Sequence, residues 1–117
     1  DPSTQSWSYE IQFYLGSAGT GAPVHFHGHA INSLAYGEKL WLLYPPTEAF
    51  YSTKPARRLF EEVFGDVQQP QKNSPILVVQ RAGDILYVPA LWGHATLNVA
   101  QSIGVAHEFS VEAFCME

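Results

Sequence analysis

Short segments that favour β-strands run through most of this chain, and glycine or proline residues separate them. About eight such segments are present, and many short strands at this spacing are typical of a barrel or a sandwich. The longest segment alternates apolar with polar residues from Trp7 to Leu15, which predicts a half-buried strand. The sequence therefore predicts an all-β fold. The predicted strands are residues 7–15, 22–29, 31–36, 39–44, 76–80, 85–88, 95–99 and 103–109.

One short helix is predicted as an insertion near the middle of these strands. Pro55 suits its first turn, and Gly65 is suited to cap its C-terminus. The apolar stripe of the helix consists of Leu59, Phe60, Val63 and Phe64.

Composition limits the kinds of partner that the chain can have. The chain is 46% hydrophobic. It carries a net charge of −5 and has no cluster of Lys and Arg, so we expect no direct binding of nucleic acid. No apolar run approaches the roughly 20 residues that a membrane span needs. The one cysteine, Cys115, excludes an internal disulfide and a cysteine-built metal site. The compartment (endoplasmic reticulum lumen, cytosol or nucleus) and the oligomeric state stay open.

We interpret residues 1–117 as a single domain, because the sequence shows neither a repeat nor a linker between domains. The chain begins at Asp1 and not at Met, so we interpret it as excised from a longer chain.

Histidines are concentrated in one predicted strand. Three of the five, His25, His27 and His29, stand there at every second position. Alternate residues of a strand share a face, so His25 and His27 should project together while Phe26 points the other way. Two neighbouring imidazoles supply half of a metal site. The alternative is a strand that shows two histidines to solvent or hydrogen-bonds them in the core.

Lys39 begins a run of residues, 39–44, in which apolar side chains occupy both faces of the predicted strand. A lysine that is buried in such a run needs an anionic partner. A plain surface lysine is the alternative.

A second informative stretch starts at Gly83. A short strand that ends at Pro89 follows this glycine, and His94 and Asn98 come next, at the spacing of the second motif of cupin barrels. Leu91 stands where that motif has its middle glycine. Together with the histidine pair, this stretch resembles a cupin-type double-stranded β-helix, a jelly-roll barrel in which the paired and the later histidine meet inside the barrel mouth.

A narrower resemblance covers roughly residues 13–109. The run from Gly37 to Pro46 is similar to the Gly-x-Lys-x-Trp-x-Leu-x-Pro-Pro stretch of JmjC-domain oxygenases. In that family the first metal-ligand strand lies about a dozen residues earlier, as His25 does here. The resemblance implies an Fe(II)- and 2-oxoglutarate-dependent oxygenase whose usual chemistry is the hydroxylation or demethylation of a protein substrate.

The same resemblance implies a set of site residues. By position, His25 is the first metal ligand, His27 the second and His94 the distal one, with Fe(II) as the expected metal.

The resemblance also implies residues that bind the cosubstrate. Lys39 is expected to pair with the far carboxylate of 2-oxoglutarate, because a dianion needs a cation at the end away from the metal. Asn32 is expected to hydrogen-bond the cosubstrate, and Tyr14 is a further candidate for the same task.

Two positions depart from the family pattern. His27 stands where the family usually has Asp or Glu, which leaves the site about one charge unit more positive. Ala22 stands where the family often has a Thr that bonds the cosubstrate. These departures keep two alternatives open: a catalytically inactive JmjC fold that binds a partner protein, and a three-histidine metal cupin that works without 2-oxoglutarate. Zn is possible in place of Fe.

Overall fold

The computed structural model describes residues 5–25, 28–49, 52–65 and 75–113. Within these ranges, no helix has the length and the apolar character needed to cross a membrane. In chain order the elements are β1 (Gln5–Gly16), β2 (Gly21–His25), β3 (His29–Tyr36), β4 (Glu38–Tyr44), a short 3-10 helix (Pro46–Glu48), α1 (Ala56–Gly65), β5 (Ile76–Arg81), β6 (Ile85–Val88), β7 (Gly93–Asn98) and β8 (Ser102–Ala113).

The strands form two four-stranded antiparallel sheets. The first sheet has the order β1-β8-β3-β6, and the second has the order β2-β7-β4-β5. Strands from opposite ends of the chain therefore pair with each other, and most consecutive strands change sheet. This is the arrangement of a jelly-roll barrel. The prediction of an all-β, cupin-type double-stranded β-helix with one inserted helix is confirmed.

The predicted strand 22–29 is two strands in the structure. β2 ends at His25, the chain bends at Gly28, and His29 begins β3 in the other sheet. Only the end of the predicted strand was misplaced, because the chain crosses between the sheets before His29. His27 lies outside the described residues, so its expected projection beside His25 stays a prediction.

β1 is a strand as predicted, but its apolar residues face outward. Ile11, Phe13 and Leu15 are exposed, and 74% of Phe13 is accessible to solvent. Gln12 and Tyr14, on the other face of the strand, line a cavity between the two sheets. The apolar face of β1 is therefore exposed, and on the other face Gln12 is exposed as well while Tyr14 is half-buried.

Two clusters of buried apolar residues hold the barrel together. In the first, Leu59 and Phe60 of α1 pack against Leu42 and its neighbours on the second sheet. In the second, Trp41 and Val88 pack between the sheets. Trp41 and Leu42 are neighbours in β4 and point to opposite faces, so this one strand contributes to both clusters.

Candidate functional site

A cavity of about 160 Å³ lies between the two sheets. Its volume is below the roughly 300–1,000 Å³ of sites for drug-sized ligands, so it suits a small metabolite. Residues of both sheets line it, and those that matter most here are Tyr14, His25, Asn32, Lys39, His94 and Glu108.

His25 and His94 stand side by side at one end of this cavity. They occupy neighbouring strands, β2 and β7, and are direct partners in the antiparallel register. Their ring centroids are 4.1 Å apart, with the ring planes at 62°. The structure therefore brings together two imidazoles that are far apart in sequence, as two ligands of one metal ion must be.

Both imidazoles place the same ring nitrogen, Nδ1, beside a backbone carbonyl oxygen. His25 Nδ1 lies 2.8 Å from the carbonyl oxygen of Pro23, and His94 Nδ1 lies 3.4 Å from that of Trp92. A carbonyl oxygen only accepts hydrogen bonds, so Nδ1 carries the hydrogen in each ring, and in the neutral ring Nε2 then has the lone pair. This is the tautomer in which an imidazole binds a metal through Nε2. The donor set thus fits a metal ion.

The third predicted ligand, His27, lies outside the described residues. Among the residues that the structure describes, no group of three His, Cys, Asp or Glu side chains is close enough to hold a metal. His29 does not reach the cavity. Its ring stacks on Phe109, and its Nδ1 lies 2.8 Å from the hydroxyl of Tyr87 on the outer face of the first sheet.

Lys39 is a buried cation at the other end of the cavity. The residue is buried, with 7% of its surface exposed. Nζ lies 4.2 Å from the ring centroid of Tyr14 and 5.4 Å from that of Trp41. No carboxylate in the described part of the chain forms an ion pair with it. Burial lowers the pKa of Lys39 from 10.5 to about 8.

The aromatic faces stabilise this ammonium group only in part, since cation–π contacts do not replace an anion. An anionic group that entered the cavity would find the charge already desolvated and in place. The Lys39 end of the cavity is therefore suited to a carboxylate.

Tyr14 and Asn32 stand beside Lys39 and contact each other. The Tyr14 hydroxyl donates a hydrogen bond of 2.8 Å to Asn32 Oδ1. Burial raises the pKa of Tyr14, against the opposing effect of the bond to Asn32. Both residues therefore line the cavity from the inner face of the first sheet, and their binding of a cosubstrate stays a prediction.

Gln80 was not predicted as a site residue. It is 1% exposed, accepts a hydrogen bond of 2.9 Å from Trp41 Nε1 and donates one of 3.2 Å to Asn32 Oδ1. Its position near the end of a β-prone run gave no local signal. Only the pairing of β5 with β4, which sets Gln80 opposite Lys39, reveals that it lies next to residues of the site.

Thr96 and Glu108 were also missed. Thr96 stands opposite Ala22 in the register, and its Oγ1 accepts a hydrogen bond of 3.2 Å from the Ala22 backbone nitrogen. The Thr96 hydroxyl therefore lies beside Ala22, whose own side chain has no hydroxyl. The alternation of His94, Thr96 and Asn98 on one face of β7 was the signal that could have found it.

Glu108 places a carboxylate on the lining of the same cavity. It pairs in register with Glu10 of β1, and Glu10 is exposed. This end of the inner face therefore opens toward solvent and is acidic.

Several known proteins are similar in sequence to this chain. No family model matches the chain. JmjC domain-containing protein 8 of Homo sapiens is 35% identical over 96 residues, which are 80% of this chain and 36% of the relative. The bifunctional arginine demethylase and lysyl-hydroxylase psr-1 of Caenorhabditis elegans is 30% identical over 118 residues, 86% of this chain and 30% of the relative. The chain is a JmjC domain.

Another relative of this JmjC domain is the 2-oxoglutarate and iron-dependent oxygenase JMJD4 of Gallus gallus, 29% identical over 107 residues, 82% of this chain and 25% of the relative. The JmjC domain thus spans about a third or less of the length of each of these relatives. Its family includes oxygenases that depend on iron and 2-oxoglutarate.

Proposed function

We propose that this JmjC domain is an Fe(II)- and 2-oxoglutarate-dependent oxygenase that acts on a side chain of a protein substrate. One observation carries the proposal. A single small cavity has the side-by-side imidazoles of His25 and His94 at one end and a buried lysine at the other, and no carboxylate of the described residues forms an ion pair with that lysine. A molecule with a metal-binding group and a distant carboxylate matches both ends.

His25 and His94 would hold the metal through Nε2, and His27 is the proposed third ligand. Three neutral imidazoles bind Fe(II) and Zn²⁺, so metal analysis has to identify the ion. When bound, the metal and 2-oxoglutarate supply O₂ activation coupled to oxidation of the cosubstrate. The carbonyl groups of Pro23 and Trp92 keep His25 and His94 in the tautomer that binds the metal.

The opposite end would bind the far carboxylate of 2-oxoglutarate. Lys39 supplies the charge, and the Tyr14 ring holds its ammonium group in place from one side. Asn32 supplies an amide beside it. Thr96 offers a hydroxyl where Ala22 lacks one, which compensates for the departure at that position.

The acidic end of the cavity favours a cationic substrate side chain. Glu108 lines the cavity on the side that opens to solvent, with Glu10 opposite to it. A carboxylate attracts and orients a lysine or arginine side chain through charge-assisted hydrogen bonds. The relatives named for arginine demethylation and lysyl hydroxylation agree with this choice. We therefore propose a lysine or arginine residue of a protein as the substrate.

The test is metal analysis followed by anaerobic calorimetric titration of the metal-loaded protein with 2-oxoglutarate. Wild-type protein should bind one metal and one 2-oxoglutarate per chain. Lys39→Ala should lose most of the affinity for 2-oxoglutarate and keep the metal. Lys54→Ala is the matched control, because Lys54 is a surface lysine paired with Glu62 on the far side of the barrel wall.

The remaining outcomes separate the alternatives. Wild-type protein that retains metal but does not bind 2-oxoglutarate would favour a three-histidine cupin. Absence of both would contradict the enzyme proposal and favour a fold that binds a partner protein. If both bind, consumption of 2-oxoglutarate in the presence of lysine- or arginine-containing peptides tests the substrate, and Glu108→Gln should weaken the effect of the peptide without weakening the binding of 2-oxoglutarate.

A further inference from the structure

We infer that Gln80 is a positioning residue that orients the side-chain amide of Asn32, so that the NH₂ group of Asn32 faces the cavity. The inference rests on the proposed function, since the group that this NH₂ would meet is 2-oxoglutarate. Gln80 itself does not line the cavity and acts through Asn32.

The direction of the hydrogen bonds follows from Trp41. The indole nitrogen of Trp41 can only donate, so the Gln80 atom that lies 2.9 Å from it is the oxygen Oε1. The other end of the Gln80 amide is therefore Nε2. It lies 3.0 Å from the backbone oxygen of Asn32 and 3.2 Å from that of Asp84, and both of these oxygens can only accept. Two independent neighbours thus assign the same orientation to Gln80.

The orientation of Gln80 fixes that of Asn32. Gln80 Nε2 also lies 3.2 Å from the side chain of Asn32, and a donor favours the oxygen Oδ1 at that position, which shares one of the two Nε2 hydrogens with a backbone oxygen. Oδ1 accepts a second hydrogen bond, of 2.8 Å, from the Tyr14 hydroxyl. Nδ2 of Asn32 points away from both, and in the described part of the chain no hydrogen bond uses it. Asn32 lines the cavity, so this NH₂ group is its available donor there.

Tyr14 alone could not impose this orientation. A phenol hydroxyl both donates and accepts, so Tyr14 would bond to either end of the Asn32 amide. Gln80 is the neighbour that distinguishes the two ends. Without it, the amide is free to turn and to present its oxygen to the cavity, where it would repel a carboxylate.

A structural role of Gln80 has to be separated from this positioning role. Gln80 belongs to the second sheet, while Asn32 and Asp84 belong to the first sheet and to the turn before β6, so its hydrogen bonds connect the sheets. Removal of Gln80 should therefore lower the thermal stability as well. The experiment therefore has to measure a property that depends on the orientation of the Asn32 side chain.

The first experiment is a double-mutant cycle on the affinity for 2-oxoglutarate of metal-loaded protein, with Gln80→Met and Asn32→Ala. Methionine has about the length of glutamine and is also uncharged, but it has no hydrogen-bond donor. We expect Gln80→Met to weaken binding about tenfold, the effect of one hydrogen bond to a charged group. In the Asn32→Ala background the same substitution should change the affinity less than about twofold. Gln101→Met is the control, because Gln101 is exposed and does not line the cavity.

An equal effect of Gln80→Met in both backgrounds would overturn the inference and leave only a structural role. So would unchanged affinity in the single variant.

The second experiment reads the orientation without any ligand. In ¹⁵N-labelled wild-type protein, the Asn32 NH₂ protons should exchange with water through the cavity. In Gln80→Glu, the new carboxylate accepts from the turned NH₂ group, which should then be protected from exchange. Protection in ligand-free wild type would contradict the inference. Failure of wild type to bind 2-oxoglutarate, with the exchange pattern as expected, would contradict the proposed function alone.

Discussion

Lys39 places its ammonium nitrogen 4.2 Å from the centre of the Tyr14 ring, on the inner side of the barrel. The two residues come from different sheets, so the barrel itself creates the contact. An aromatic face is a weak substitute for a carboxylate. The ligand-free protein therefore keeps a buried charge that a dicarboxylate would complete, and this has consequences for pH dependence and for stability.

The affinity for 2-oxoglutarate should fall as the pH rises through about 8. Burial lowers the pKa of Lys39 to about 8 in the free protein, and only the protonated amine pairs with a carboxylate. Above this pH, binding has to take up a proton and weakens by up to about tenfold per pH unit. Calorimetric titrations from neutral pH to about pH 10 measure the change. Lys39→Arg stays charged throughout and should show no such fall. A flat profile for wild type would contradict the role of Lys39.

Replacing Lys39 by methionine should stabilise the ligand-free protein at neutral pH. The folded-state pKa of about 8 lies below the unfolded value of 10.5, so the charged form opposes folding. The cost is on the order of 3 kcal/mol below pH 8 and disappears as the pH rises toward 10.5. Lys39→Met should raise the free energy of unfolding by about 1–3 kcal/mol at neutral pH.

Urea denaturation at several pH values checks this expectation. Wild type should gain stability between pH 8 and pH 10.5, and Lys39→Met should not. Lys54→Met, a substitution of a more exposed lysine, should change stability by less than about 1 kcal/mol. A loss of stability in Lys39→Met would show that other groups already stabilise the buried charge of Lys39.

Gly104 should not tolerate a methyl group. A Cβ atom there would overlap the Tyr14 hydroxyl and approach the backbone oxygen of Ser33. Gly104→Ala should displace Tyr14, break its bond to Asn32 and lower the free energy of unfolding by about 1–3 kcal/mol. Thermal unfolding measures the cost. Gly65→Ala is the matched control, because nothing lies within 4 Å of the added Cβ there and stability should not fall. Equal effects of the two substitutions would contradict the close packing at Gly104.

A substitution in β1 tests whether the apolar face of this strand points outward. Phe13 is 74% exposed, so Phe13→Lys should change the free energy of unfolding by less than about 0.5 kcal/mol. A buried phenylalanine would cost about 3–5 kcal/mol even on truncation to alanine. Urea denaturation distinguishes these values. A loss in the larger range would indicate that Phe13 packs inside, as the apolar alternation suggested.

Local sequence patterns predict the strands of this protein but not how distant strands pair. Alternation and turn residues identify strands, so the barrel and its helix were predictable. Family motifs predicted His25 and Lys39 as site residues, and both line the same cavity. Which face of a strand points inward, and which residues meet across the sheets, depend on the register between strands far apart in the chain. Gln80, Thr96 and Glu108 were missed for this reason, because only such pairings bring them to the cavity or to the residues that line it.

Metal removal should lower the stability of the wild-type protein and not that of a variant without one ligand. A ligand that binds only the folded state at about 100 times its Kd stabilises it by about 2.7 kcal/mol. Metal-loaded wild type should therefore lose thermal stability on treatment with a chelator, and His94→Ala should be insensitive to it. His29→Ala is the matched control, since His29 contacts Tyr87 and Phe109 outside the cavity. It should lose some stability but keep the full response to the chelator. If His29→Ala and His94→Ala respond alike, the pair of His25 and His94 is not the metal site.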